Sequence, residues 1–221
     1  MGGAWGTVDL GRQYTVAHNT VALYDPFNYK YISIIPTGGS VSTTAGTRFN
    51  NDIKYIGVFG PITARAEYAL GEQAGSASNG SAVAVGVADD NGPLILAGAY
   101  TKRKINVLAT GAGVAAGAAG SAFQDNKDYT LGASYKFSGF RVAGGWADEK
   151  QSTTGADVRQ KNAWFGGVYD LTPAMALTAA YYDTRFDNIN GLGASGKRQL
   201  FIIGGTYALS KSGNCHEPHD K

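Results

Sequence analysis

The sequence has one cysteine, Cys215, in 221 residues, which excludes an internal disulfide and any zinc site built on cysteines. Proline is scarce at 6 and glycine abundant at 32, so neither a collagen-like nor a proline-rich disordered chain fits. Charge is sparse and balanced: 19 Lys and Arg against 17 Asp and Glu leave a net charge of +2, too little and too scattered for a nucleic-acid-binding face. The longest low-charge stretch, Leu108 to Phe123, is broken by four glycines and is shorter than the roughly 20 apolar residues of a membrane helix. Met1 to Asp9 shows neither the basic start nor the apolar run of a secretory leader. Catalytic signatures are missing as well. There is no Gly-x-Ser-x-Gly, His-Glu-x-x-His, phosphate-binding loop or dinucleotide fingerprint, so no enzymatic activity, cofactor or metal is expected. Cys215, His216 and His219 lie in Ser212 to Lys221, an abruptly polar stretch that reads as a disordered tail.

What the sequence does have is alternation. Helical spacing fails almost everywhere, while segments of about 9 to 12 residues alternate with period two. Phe49, Asn51, Ile53 and Tyr55 oppose Arg48, Asn50, Asp52 and Lys54; Ile62, Ala64, Ala66, Tyr68 and Leu70 oppose Thr63, Arg65 and Glu67. Ten strands are predicted, at about 5–14, 48–57, 61–71, 81–88, 93–103, 127–137, 140–150, 158–170, 174–186 and 199–209. Their connections alternate between tight turns (58–60, 89–92, 138–139, 171–173) and long segments rich in Gly, Ala, Ser and Asn (15–47, 72–80, 104–126, 151–157, 187–198). All long loops at one end, all short turns at the other and two-faced strands of this length predict an antiparallel up-and-down transmembrane β-barrel. Detergent dependence would separate it from a soluble all-β binding module.

A second regularity supports that reading. Gly-(Gly/Ala)-x-Tyr-x-(Leu/Phe) recurs at Gly132–Phe137, Gly166–Leu171 and Gly204–Leu209, and Tyr55 holds the same position before Phe59-Gly60. Tyrosines at a fixed distance from the turns predict a ring at the membrane interface, where amphipathic rings settle at headgroup level.

Trp5-Gly-Thr-Val-Asp-Leu-Gly-Arg-Gln-Tyr14, then a long loop, Arg48-Phe-Asn-Asn-Asp-Ile-Lys-Tyr55 and Ala64-Arg-Ala-Glu-Tyr68-Ala-Leu-Gly71, together with the later Gly-x-x-Tyr-x-Leu strand ends, resemble the general porins of Gram-negative bacteria, the beta-proteobacterial ones above all. The resemblance covers residues 5 to about 211. It implies about ten of sixteen strands, a location in the outer membrane among its lipids, a homotrimer for the complete parent protein and a water-filled channel for passive diffusion of small hydrophilic solutes and ions. The chain is accordingly expected to be an interior portion of a porin, with 1–211 forming the partial barrel. A non-functional truncated product, or an adhesin-like barrel without a channel, is the alternative.

The same resemblance makes segment 15–47 the loop that folds inward and narrows the channel. It offers one acid, Asp25, and one base, Lys30, without the acidic cluster of the enteric porins. Arg48 falls where the family has a basic wall residue. Lumen-facing parity adds Lys54, Arg65, Lys136 and Arg141 against Asp52, Glu67 and Glu149, a set predicting a weak preference for anions. Arg12 shares parity with the apolar Val8, Leu10 and Tyr14. Facing lipid there would cost about 2 to 4 kcal/mol near the midplane, so Arg12 is expected to face protein, and the resemblance implies that this protein is a neighbouring subunit.

Overall fold

The computed structural model describes residues 1–30, 35, 47–108, 119–189 and 193–208. The expected tail, 212–221, lies outside the described residues. One antiparallel sheet of eleven strands in simple sequence order makes up the fold. Its members are β1 (Gly2–Gly3), β2 (Gly6–Tyr14), β3 (Arg48–Phe59), β4 (Ile62–Ala69), β5 (Ala82–Asn91), β6 (Leu94–Leu108), β7 (Ser121–Phe137), β8 (Phe140–Gln151), β9 (Val158–Thr172), β10 (Met175–Ile189) and β11 (Ala194–Tyr207). Among the described residues β1 and β11 do not pair with each other, so the sheet is open there.

All ten predicted strands are present. They differ mainly at their loop ends, where β6 and β7 run on in register to Leu108 and Ser121, beyond the last clear alternation. Tight turns close the other end, with Gly60, Gly92 and Gly139 at φ of 63°, 66° and 81°, a backbone region that side chains with a Cβ rarely enter. Two elements were not legible: the two-residue β1, and α1 (Val16–Val21), a short helix in the segment after β2. Thr15 caps it, its hydroxyl accepting from the His18 amide at 3.1 Å.

The two faces of the sheet are opposite in chemistry. The outer one carries Ile53, Val83, Val85, Val87, Leu131, Phe165, Phe201 and Ile203, all between 45% and 69% exposed. A contiguous apolar face of this extent requires a non-aqueous neighbour. Tyr135, Tyr169 and Tyr207 lie on it near the turns. Through β8, Tyr135 registers with Gly167, two residues short of Tyr169, and through β10, Tyr169 registers with Gly205, two short of Tyr207. The line of rings therefore advances steadily across the register, as the stagger of tilted strands demands. Phe137, Phe140 and Tyr169 stack along it at 5.6 and 4.2 Å.

Candidate pore-lining segment

On the inner face the same alternation places small residues. Ala84, Ala88, Ala97, Ala143, Ala147 and Ala180 are buried although they sit on one side of a single sheet. Their cover is the segment that begins at Thr15. Val21, Tyr24, Phe27 and Tyr29 form one apolar cluster with Ala88, Ala97, Ala147, Trp164, Ala180 and Tyr182, so the chain leaving β2 turns inward and lies across β5 to β10.

The seat for this segment is cut by glycine. A Cβ at Gly132 would lie 2.2 Å from the Tyr24 ring and 2.6 Å from the Gly144 carbonyl, and one at Gly145 would lie 2.8 Å from the same ring. Gly204 meets Phe27 at 3.1 Å, and Gly86 meets Val16 at 2.6 Å. The recurring Gly-x-x-Tyr thus has two halves. Three residues apart on a strand, glycine and tyrosine point to opposite faces. At Gly132 and Gly204 the glycine makes room inside, while the tyrosine occupies the outer interface.

Two sets of polar contacts pin the segment. At its start, the Val16 amide donates to Glu67 Oε1 at 2.9 Å, and Lys54 Nζ lies 3.4 Å from Glu67 Oε2 and 4.0 Å from Asp52 while also donating to the Tyr14 carbonyl. Glu67, Lys54 and Asp52 are all buried. His18 stacks on Tyr14 at 4.0 Å and meets the edge of Tyr29 at 5.0 Å. Burial and the nearby Arg48 and Lys54 charges lower its pKa to about 4, so the ring is neutral at pH 7.

Further along, Asp25 accepts from the Tyr182 hydroxyl and the Tyr29 amide, each at 2.7 Å. Burial raises its pKa, against those hydrogen bonds and the Arg141 charge. Arg141 donates to the Pro26 carbonyl at 2.9 Å and to Asn28 Oδ1 at 3.0 Å. The Tyr24 hydroxyl shares a hydrogen bond with Thr130 at 2.6 Å, and Trp164 Nε1 donates to the Tyr24 carbonyl at 3.2 Å. Burial pushes the Tyr24 hydroxyl up.

The structure separates the residues read as pore-lining. Asp25 is only 2% exposed and serves as an anchor, which corrects the expectation that it faces the channel. Asp52, Lys54 and Glu67 do share one face, as expected, but there they are packed against the start of the segment. Arg48 corrects the parity argument. A register shift between Gly11 and Gln13 inserts an extra residue in β3, with Asn51 at φ 49°, so beyond it Phe49 turns inward and is buried while Arg48 is exposed. The Arg48 guanidinium lies 4.1 Å from the centre of the Tyr14 ring. Arg65 is half-buried on the inner face, in register with Ile56 and Gly86. Lys30 is exposed and borders a cavity of about 500 Å³ with Phe27, Lys136, Arg141 and Asp170. Arg12 is exposed on the outer parity with Leu10 and borders a cavity of about 330 Å³ together with Arg48 and Arg103.

Against known proteins, a sequence profile of the Gram-negative porin family matches residues 1–214. The chain belongs to that family. It is a protein of the outer membrane. No curated protein is a significant match. Among solved structures the in-vitro folded outer membrane protein OmpT of Vibrio cholerae is similar at 14% identity and a TM-score of 0.69, over 93% of this chain and 62% of that one. Its variant with loop L8 deleted gives 16% and 0.70, over 93% and 66%. OmpF of Salmonella typhi, in complex with daunomycin, gives 15% and 0.65, over 94% and 64%. The porin chain thus spans less than two thirds of the length of these structures, with which it shares the fold.

Proposed function

We propose that the chain forms the wall and the inward narrowing of a water-filled channel through the outer membrane, open to passive diffusion of small hydrophilic solutes and ions, with no catalytic chemistry. One observation carries this reading: the segment from Thr15 to Lys30 is held on the inner face of a sheet whose outer face is apolar. A strand connection immobilised inside a closed barrel reduces the open cross-section without blocking it. The proposal includes closure of the sheet by further strands. It also includes association as a homotrimer with Arg12 at the subunit contact, in keeping with the trimer form of OmpT from Vibrio cholerae.

Small anions are the favoured solutes. Lys30, Lys136 and Arg141 surround the 500 Å³ cavity with Asp170 as their one acid, and charges within a Debye length, about 8 Å at physiological salt, are only partly screened. The test is a planar bilayer with protein extracted from outer membranes. Discrete conductance steps and a reversal potential on the anion side are expected, and Lys30→Glu with Lys136→Glu shifts it toward cations. Absence of conductance steps removes the channel reading; steps with an unmoved potential remove only the assignment of selectivity.

A further inference from the structure

Three strands bring a polar patch together on the inner face of the sheet. Thr101 of β6 registers with Asp128 of β7, and Asp128 with Glu149 of β8. One step toward the loop ends, Asn126 registers with Gln151. Residues two apart on a strand share a face, so these groups point the same way as Thr130, which bonds Tyr24, and Ala147, which packs in the cluster around it. Thr101, Asn126, Asp128, Glu149 and Gln151 are all fully buried. Hydrogen bonds satisfy only part of the patch: Asn126 Nδ2 donates to Glu149 Oε1 at 2.8 Å, and Gln151 Nε2 donates to the Ser152 carbonyl at 2.7 Å.

Five oxygens are left over. Among the described residues, both carboxylate oxygens of Asp128, the Thr101 hydroxyl and the side-chain carbonyl oxygens of Asn126 and Gln151 have no hydrogen-bond partner. Buried polar atoms are nearly always paired, and an unpaired one bears its full desolvation cost. Oxygens of this kind gathered in one patch mark the place of a group that the side chains around them do not supply. That group must be positive, because Asp128 and Glu149 stand directly opposed, about 4.5 to 5.5 Å apart at Cβ, where like charges repel. Lys102, Lys127 and Lys150 alternate with these residues along the strands and point to the opposite face. Arg103 shares the inner face, in register with Asn126, but makes no ion pair among the described residues, and its guanidinium lies 5.5 Å from the centre of the Phe49 ring.

We propose that this patch binds one calcium ion, with Asp128 and Glu149 as its charged ligands and Thr101 and Asn126 as neutral ones. Two carboxylates with hydroxyl and amide oxygens are a hard, all-oxygen donor set, which suits calcium and its adaptable coordination. No three His, Cys, Asp or Glu side chains converge among the described residues, so the set is not of the zinc type. The ion cancels the repulsion between the two carboxylates, gives Asp128 the partner it lacks and ties β6, β7 and β8 together on the inner face.

The experiment is calorimetric titration of calcium chloride, at neutral pH, into the full chain purified in detergent, freed of lipopolysaccharide and stripped with a chelator. Saturable binding of one ion per chain is expected. Asp128→Asn should weaken it by about tenfold or more, since a charged ligand is lost, and Thr101→Val should weaken it several-fold. Asp183→Asn, on the outer face and paired with Lys197, should leave it unchanged. Thr101→Val keeps both carboxylates in place, so the question stays answerable if Asp128→Asn fails to fold. Calcium should also raise the unfolding temperature of the unmodified protein and not that of Asp128→Asn. Absence of saturable binding would overturn the proposal and point to a proton shared by the two carboxylates. So would an affinity unchanged in Asp128→Asn and Thr101→Val, or one lost in Asp183→Asn, either of which would place the ion elsewhere.

Discussion

The two ends of the inward segment are held by opposite chemistry. At the Val16 end the anchor is ionic: Glu67, Lys54 and Asp52 meet in a buried group, and the segment contributes only backbone to it. At the Asp25 end the carboxylate belongs to the segment and the wall answers with a neutral hydroxyl, Tyr182, while the Arg141 cation is spent on backbone carbonyls and Asn28. A buried charge network is costly to build and costly to break by one member; a hydrogen-bonded carboxylate amid aromatic rings depends on shape as well. Strand charges that look like a channel field are partly structural fastenings. Lys30 and Lys136 take no part in either anchor and border the 500 Å³ cavity instead.

Two amides report on the two ends separately: Val16 N–H bonded to Glu67, and Tyr29 N–H bonded to Asp25. Their hydrogen-exchange protection offers a way to break the comparison. The largest effect is expected from Gly132→Ala. The added methyl meets the Tyr24 ring and the rigid Gly144 carbonyl together, and overpacking of this kind costs typically about 1 to 3 kcal/mol. Tyr29 protection should collapse while Val16 protection largely survives. Gly204→Ala, which meets only Phe27 at 3.1 Å, should act in the same direction and more weakly. Equal loss at both amides in Gly132→Ala would show that the segment docks as one unit.

Next in size is Asp25→Ala. It leaves the Tyr182 hydroxyl and the Tyr29 amide without their acceptor inside a buried cluster, a loss of about 1 to 3 kcal/mol. Asp25→Asn keeps an acceptor oxygen and should retain most of the protection. Were both variants equally damaging, the negative charge itself and its pull on Arg141 would be the fastening.

Much of this architecture was open to sequence reading, for a physical reason. Strand alternation is imposed residue by residue by a lipid face and an inner face, so all ten strands and the order of turns and loops could be read directly. The inner fastening depends on side chains far apart in sequence. Tyr24 meets Thr130 and Trp164, and Asp25 meets Tyr182, at separations of 106, 140 and 157 residues. Nothing local marks them. The Gly-x-x-Tyr repeat was visible, but its tyrosine half alone pointed to an environment; the glycine half acquires meaning only when the Tyr24 ring is seen to lie on it. Arg48 was misplaced because a bulge at Asn51 resets parity, and a single residue with positive φ leaves no trace in a pattern of polar residues.

Acid should distinguish the ends by sign. The His18 pKa is lowered from 6.5 to about 4, so its contribution to docking is fully present above 6.5 and is lost as pH falls from there toward about 4. Asp25 has a raised value, so its contribution is fully present below the ordinary carboxylate range and is lost as pH rises through its folded value. After correction for intrinsic exchange rates, acidification from pH 7 to 5 should weaken Val16 protection and leave Tyr29 unchanged or strengthened. His18→Gln should abolish the weakening. A decline at Val16 that persists in that variant would show that His18 is not the source of the acid response.

The smallest effect sharpens the comparison within the neutral end. Tyr24→Phe deletes the hydroxyl shared with Thr130 and keeps the ring on Gly132 and Gly145, stacked on Trp164 at 5.8 Å. A net hydrogen bond is worth about 1 kcal/mol, whereas burying a large apolar ring is worth about 1.5 to 3 kcal/mol. Tyr24→Phe should therefore lower Tyr29 protection by about fivefold, and Tyr24→Ala by far more. If shape fastens this end, the two variants differ widely and Thr130→Ala matches Tyr24→Phe. If Tyr24→Phe already equals Tyr24→Ala, the hydroxyl is the fastening, and both ends of the segment hold by polar contacts after all.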